Sequence, residues 1–159
     1  MTISIGSDHA ALDLKNELRN YLENAGYLVI DRGTYTKESC DYSDYGHAVA
    51  VDVRDHIADR GIVICATGIG MSIVANKVKS VRCALVDNVE FARLTREHND
   101  SNVLALGAKA VSEDLAKQIV AAWLETPFSN EERHQRRIDK ITKYEENNLW
   151  VKNMWCLIL

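Results

Sequence analysis

The sequence predicts an α/β fold, a Rossmann-like three-layer α/β/α sandwich built on a five-stranded parallel sheet. Three observations carry that expectation. Short apolar runs alternate with stretches of helical period along the 159 residues, which is how a parallel sheet covered on both faces reads. The run Ile62-Val63-Ile64 is β-branched and does not alternate, as expected of a strand buried on both sides. Finally, Asp8-His9, Cys65-Thr67, Asp87 and Lys109 each follow an expected strand, and ligands in such sheets bind beyond the carboxyl ends of the strands.

Residues 3–6 form the first strand, ending in Ser7-Asp8-His9. Over 10–25, Ala11, Leu14, Leu18, Tyr21, Leu22 and Ala25 follow helical spacing, and Gly26 stops the helix. Residues 27–30 are a second strand and 34–41 a polar loop. Ser43 and Asp44 cap a helix expected to reach residue 59, with Ala48, Val49, Val53 and Ile57 inward. The central strand, 62–64, breaks at Thr67-Gly68-Ile69-Gly70, and 71–77 turn into a helix. A fourth strand (81–86), a short helix (89–97) carrying His98-Asn99 at its end, and a fifth strand (103–106) follow. Ser112 opens a helix through 124, and Pro127, the single proline, marks the break. Ser129-x-x-Glu132 reads as a capping box for a last helix to about residue 146. Residues 1–147 are expected to be one domain, and 148–159 an apolar tail packed on a neighbouring subunit.

A chain of this length buries a sizeable core. Its formal net charge of −4 argues against a nucleic-acid partner, which calls for a basic footprint. No run approaches the ~20 apolar residues of a membrane span. Cys40, Cys65, Cys83 and Cys156 form no CxxC pair and no metal-ligand spacing, which suits reduced thiols and a cytoplasmic location. The first residues run directly into a strand without the pattern of a signal peptide.

The stretch 62–77 is where chemistry is expected. A strand, a glycine turn and a helix N-terminus aim backbone N–H groups at one spot, fit to hold an anion or an oxygen that becomes one. Cys65 and Thr67 stand at its lip. A buried cysteine is commonly core filler, but a thiol before a helix N-terminus is a feasible base. Gly68-x-Gly70 lacks the third glycine of a dinucleotide fingerprint, although Asp87 partly mimics its acidic residue. His9 reads as a helix cap or a ligand group, and His98 as a dipole partner or a functional one. Arg133 and Arg137 stand four apart on one helical face, where like charges are unfavourable. They read as a solvated basic face or as a two-pronged phosphate clamp.

Taken together, Gly6-Ser7-Asp8-His9, Asp41-Tyr42, Cys65-Ala66-Thr67-Gly68-Ile69-Gly70, Ala75-Asn76-Lys77, Arg96-Glu97-His98-Asn99-Asp100 and Arg133-His134-Gln135-x-Arg137 resemble the type B ribose-5-phosphate isomerase family. That family also includes galactose-6-phosphate and allose-6-phosphate isomerases, and the resemblance covers about residues 2–147. It implies interconversion of ribose 5-phosphate and ribulose 5-phosphate through an enediolate, a step of pentose phosphate metabolism, with no metal or organic cofactor. By resemblance, Cys65 moves the proton between C1 and C2. Thr67 and the backbone around Ala66, Gly68, Ile69 and Gly70 hold the enediolate oxygen, and His98 opens the furanose ring. Asp8 and Tyr42, with Asn99 close by, contact sugar hydroxyls. His9, Arg133 and Arg137 hold the phosphate, with Lys109 as a third cationic contact where the family commonly has arginine. The resemblance further implies a homodimer, or a tetramer of such dimers. In its sites the Cys65 lip comes from one chain and at least part of the arginine helix from the other. Three alternatives remain open: a six-carbon sugar-phosphate isomerase, a nucleotide-binding module, and a silent assembly subunit.

Overall fold

The computed structural model describes the backbone of residues 1–156 and the side chains of residues 1–147. Five parallel strands, β1 (Thr2–Ser7), β2 (Leu28–Asp31), β3 (Arg60–Cys65), β4 (Cys83–Leu85) and β5 (Val103–Gly107), lie in the order β2-β1-β3-β5-β4. A 3₁₀ turn (His9–Ala11) leads into α1 (Leu12–Asn24), followed along the chain by α2 (Tyr42–Arg54), α3 (Ile69–Ala75), α4 (Val89–Asn99), α5 (Glu113–Glu125) and α6 (Glu132–Cys156). The strand order reverses between β1 and β3, so their carboxyl ends flank the crevice where such sheets bind ligands.

Alternation along the central strands builds two cores. Ile3, Ile5, Ile62, Ile64, Leu104 and Leu106 pack with Leu18 and Leu22 of α1 and with Ile119, Val120 and Trp123 of α5. Val63, Cys65, Val103 and Ala105 face the other way, onto Val49 and Val53 of α2 and Met71 and Ala75 of α3. These side chains are almost wholly inaccessible, and each Val, Leu, Ile or Met among them contributes about 1.5–3 kcal/mol of transfer free energy. Two buried polar groups tie the layers. Asp52 of α2 accepts from Ser4 Oγ at 2.6 Å and from Arg32 Nε and Nη2 at 2.7 and 2.6 Å. Lys15, fully buried, donates to Asp31 at the end of β2 at 2.6 Å.

Several element boundaries differ from the sequence expectation. α2 begins at Tyr42, before Ser43 and Asp44, with no side-chain cap. It ends at Arg54 because the Asp52 carbonyl accepts from Ile57 and Ala58 in a turn, and this leaves Ile57 exposed. β4 spans three residues; Val81 and Val86 are buried in the turns beside it. The capping box does not form: the Ser129 N–H donates to the Glu97 carbonyl, and Ser129 Oγ lies 2.8 Å from His134 Nδ1. α6 runs past residue 146 to Cys156. The expected packing of the apolar tail 148–159 lies outside the described side chains.

Candidate active site

At the carboxyl edge of the sheet, β3 ends in Cys65, whose Sγ accepts the Gly68 N–H at 3.1 Å. Gly68 has φ +76°, and a Cβ there would lie 2.8 Å from the Leu106 backbone, so glycine is required on both counts. The exit of β5 braces this turn: Ala108 and Lys109 N–H donate to the Cys65 and Ala66 carbonyls at 2.9 Å each. With those carbonyls engaged inward, Thr67 and Ile69 are left exposed, and Ala66 and Gly70 half-buried, at the lip. Tyr42, the first residue of α2, lies flat on Gly70, where a Cβ would fall 2.6 Å from its ring. From β1, the Asp8 N–H donates to the Ile64 carbonyl (3.2 Å). Its Oδ1 accepts from Ala10 and Ala11 at 3.1 and 3.2 Å. His9 Nδ1 accepts the Cys40 N–H at 3.2 Å, which leaves Nε2 as the other ring position for a ligand. The structure thus gathers Asp8, His9, Tyr42, the run 65–70 and Lys109 at one edge.

His98, Asn99, Arg133 and Arg137 lie elsewhere in the same chain. α4 starts after β4 and runs back over 11 residues, about 16 Å at 1.5 Å per residue, to the amino end of β5. His98 and Asn99 therefore close its last turn at the opposite edge, within the helix and not in the loop after it. The His98 ring packs against His134 of α6, with centroids 4.3 Å apart and the ring planes tilted by 44°. Burial, and then the nearby His98, push the His134 imidazole below its ordinary pKa. Arg133 and Arg137 are exposed beside it, and Arg133 Nε donates to Glu131 at 2.7 Å. The His98–His134 contact escaped sequence reasoning, although His134 sits between the two arginines singled out. So did the arginines gathered around the turn after His98, whose only sequence signal is the Arg96/Asp100 spacing of four.

The sequence matches the ribose/galactose isomerase family over residues 3–141. This chain belongs to the ribose/galactose isomerase family. A solved ribose-5-phosphate isomerase B from Clostridium thermocellum superposes with TM-score 0.91 at 49% identity, covering 93% of this chain and 99% of that one. Ribose-5-phosphate isomerase B of Escherichia coli is 43% identical over 91% of this chain and 96% of its own length. A D-erythrulose-4-phosphate isomerase of Pectobacterium atrosepticum is 40% identical over 91% and 95%.

An isomerase of this family needs a carbon base and an oxyanion site, and the Cys65–Gly70 turn carries both kinds of group. Cys83 is unsuited to such a role, since burial pushes its thiol up to about 12. A cavity of about 870 Å³ lies at the far edge, lined by Asn76, Lys77, Arg82, Cys83, Asn99 and Glu145 among others, away from Cys65. Among the described residues no three His, Cys, Asp or Glu side chains gather as metal ligands, and no helix is long and apolar enough to cross a membrane.

Proposed function

We propose that this isomerase interconverts D-ribose 5-phosphate and D-ribulose 5-phosphate. The observation that carries the reading is the Gly68 N–H on Cys65 Sγ, in a turn whose carbonyls are held away from the lip. That bond fixes the direction of the sulfur at the lip, where a cysteine can serve as a base. Cys65 takes the C2 proton of the open aldose and the electron pair forms the C1–C2 enediolate; the thiol, exchanging with water, then delivers a proton to C1 while the C2 hydroxyl proton passes to O1, which leaves the C2 ketone. The developing oxyanion meets Thr67 and the N–H groups of Ile69 and Gly70 in the first turn of α3, and such preorganised donors are worth several kcal/mol. Asp8 and Tyr42 hold sugar hydroxyls, and His9 Nε2 and Lys109 hold phosphate.

His98, Asn99, Arg133 and Arg137 serve a site in a second copy, with His98 opening the furanose ring and the two arginines clamping phosphate. Their position at the opposite edge supports this division. So does the exposed apolar set Ile69, Ile73, Leu85 and Phe91 beside the Cys65 lip and along edge strand β4. An isologous pair that sets the carboxyl edge of each chain against the other chain's amino edge holds two equivalent sites.

The test is solvent-hydrogen exchange into substrate by wild type and Cys65→Ala. Ribose 5-phosphate is compared with erythrulose 4-phosphate, allose 6-phosphate and galactose 6-phosphate. Ribose 5-phosphate as preferred substrate, with exchange abolished in the variant, is expected. Undiminished exchange would remove Cys65 as the base, and preference for another sugar phosphate would shift the substrate to that one.

A further inference from the structure

The turn that follows His98 is held by an unusual concentration of positive charge. Arg82 Nε donates to the Asn99 and Asp100 carbonyls, 3.0 Å each, and Arg82 Nη2 reaches the Asp100 carbonyl (2.8 Å) and carboxylate (3.0 Å). From inside α4, Arg96 Nη1 donates to the Ser101 carbonyl at 2.5 Å and lies 2.7 Å from Asp100 Oδ1. Arg60, at the start of β3, adds a third guanidinium on the Ser101 carbonyl at 3.2 Å. Asp100 itself sits in the left-handed region at φ +45°. A helix C-terminus is commonly closed by one glycine and one cation. Here three cations converge on three residues, and one of them, Arg96, is 3% exposed. Their crowding has a visible cost. Burial and the neighbouring Arg96 push Arg60 down to about 10, and Arg96 is lowered for the same kind of reason. Closing a helix does not call for that expense. Fixing the residue just before the turn does, because the His98 ring packs on its other side against His134 of a different helix.

We infer that Arg82, Arg96 and Asp100 are positioning residues that fix the His98 imidazole for ring opening by locking the Asn99–Ser101 turn. The inference rests on the ring-opening role given to His98 above. The turn brings the guanidinium groups from β3, from the segment before β4 and from α4 itself. The direction of the last helical turn is therefore set by the sheet and not by α4 alone. A loosened turn lets the imidazole drift while leaving Cys65, at the opposite edge of its own chain, undisturbed.

The test separates ring opening from proton transfer. Ribose 5-phosphate is mostly ring-closed, whereas ribulose 5-phosphate cannot form a furanose because its C5 oxygen carries the phosphate. Wild type, Asp100→Asn, Arg82→Ala and the reference His98→Asn are each measured for conversion of ribose 5-phosphate and for exchange of carbon-bound hydrogen of ribulose 5-phosphate with D2O. The ratio of the two rates is taken on one preparation, so any unfolded fraction cancels. His98→Asn should lower the ratio about a hundredfold, and Asp100→Asn and Arg82→Ala about tenfold, since a displacement near 1 Å is enough to cost that much. A selective loss in His98→Asn with unchanged ratios in both clamp variants would overturn the positioning role and leave the His98 reading intact. An unchanged ratio in His98→Asn would overturn both.

Discussion

Gly107→Ala tests whether the brace on the Cys65 turn matters for the chemistry. A Cβ at residue 107 would lie 2.7 Å from the backbone C and O of Thr67 and 3.1 Å from its Cα. Ordinary contact begins near 3.4 Å, so strand and turn must part by about 3.4 − 2.7 = 0.7 Å, and no side chain can swing aside to absorb it. The two hydrogen bonds from Ala108 and Lys109 to Cys65 and Ala66, now 2.9 Å, lengthen with that motion. A displacement approaching 1 Å in a site that depends on alignment lowers kcat by about ten- to a hundredfold. Overpacking of this kind costs about 1–3 kcal/mol of stability, or roughly 2–12 °C in melting temperature for a chain of this size. Steady-state assay of ribulose 5-phosphate formation, beside a thermal melt, reads both quantities. A Gly107→Ala protein that melts a few degrees lower yet keeps wild-type kcat would refute the idea that the brace sets the geometry of the turn.

Two further outcomes are expected. Cys65→Ala and Arg137→Ala chains, each poorly active, should regain activity when unfolded and refolded together; random pairing leaves about a quarter of all sites intact if they span two copies. Activity no greater than that of the parents, with mixed dimers verified by mass, would show that both residues serve one chain's site. His134, whose folded pKa lies below its ordinary 6.5, binds its proton more readily in the unfolded chain. Its stabilising contribution is therefore complete above pH 6.5 and is lost as the pH falls through the folded value. Melting curves from pH 8 to 5 should show a shallower acid decline for His134→Gln than for wild type; equal declines would place the effect elsewhere.

The sheet was legible because β3 and β5 are short apolar runs between turn residues, and two-faced burial leaves that mark directly in composition. The ends of elements were less so. Val81 and Val86 extended the apparent fourth strand, since burial in a turn and burial in a strand select the same side chain. Ser129 looked like a cap because its spacing to Glu132 is right, but its hydroxyl meets His134 and its N–H meets Glu97. The lip of the candidate site could be read from strand ends, which a parallel sheet collects on one edge. What the sequence could not show is the gathering of Arg60, Arg82 and Arg96 around the Asn99–Ser101 turn. Those residues come from separate elements, and only the register of β3, β4 and β5 brings them together.

The alternation along β3 has a consequence for the thiol. Ile62 and Ile64 point into the core shared with α1 and α5, and Val63 and Cys65 into the one shared with α2 and α3. Cys65 is thus the last rung of a core ladder as well as the proposed base, and its aim is set by the pleat. A slip of one residue against β1 or β5 would turn the sulfur to the opposite layer, away from the Gly68 N–H. The pairing that makes β3 the middle of the sheet, Ile5 with Ile62 and Ile62 with Leu104, is therefore also what sights the sulfur. For β3, folding correctly and being able to react are the same event.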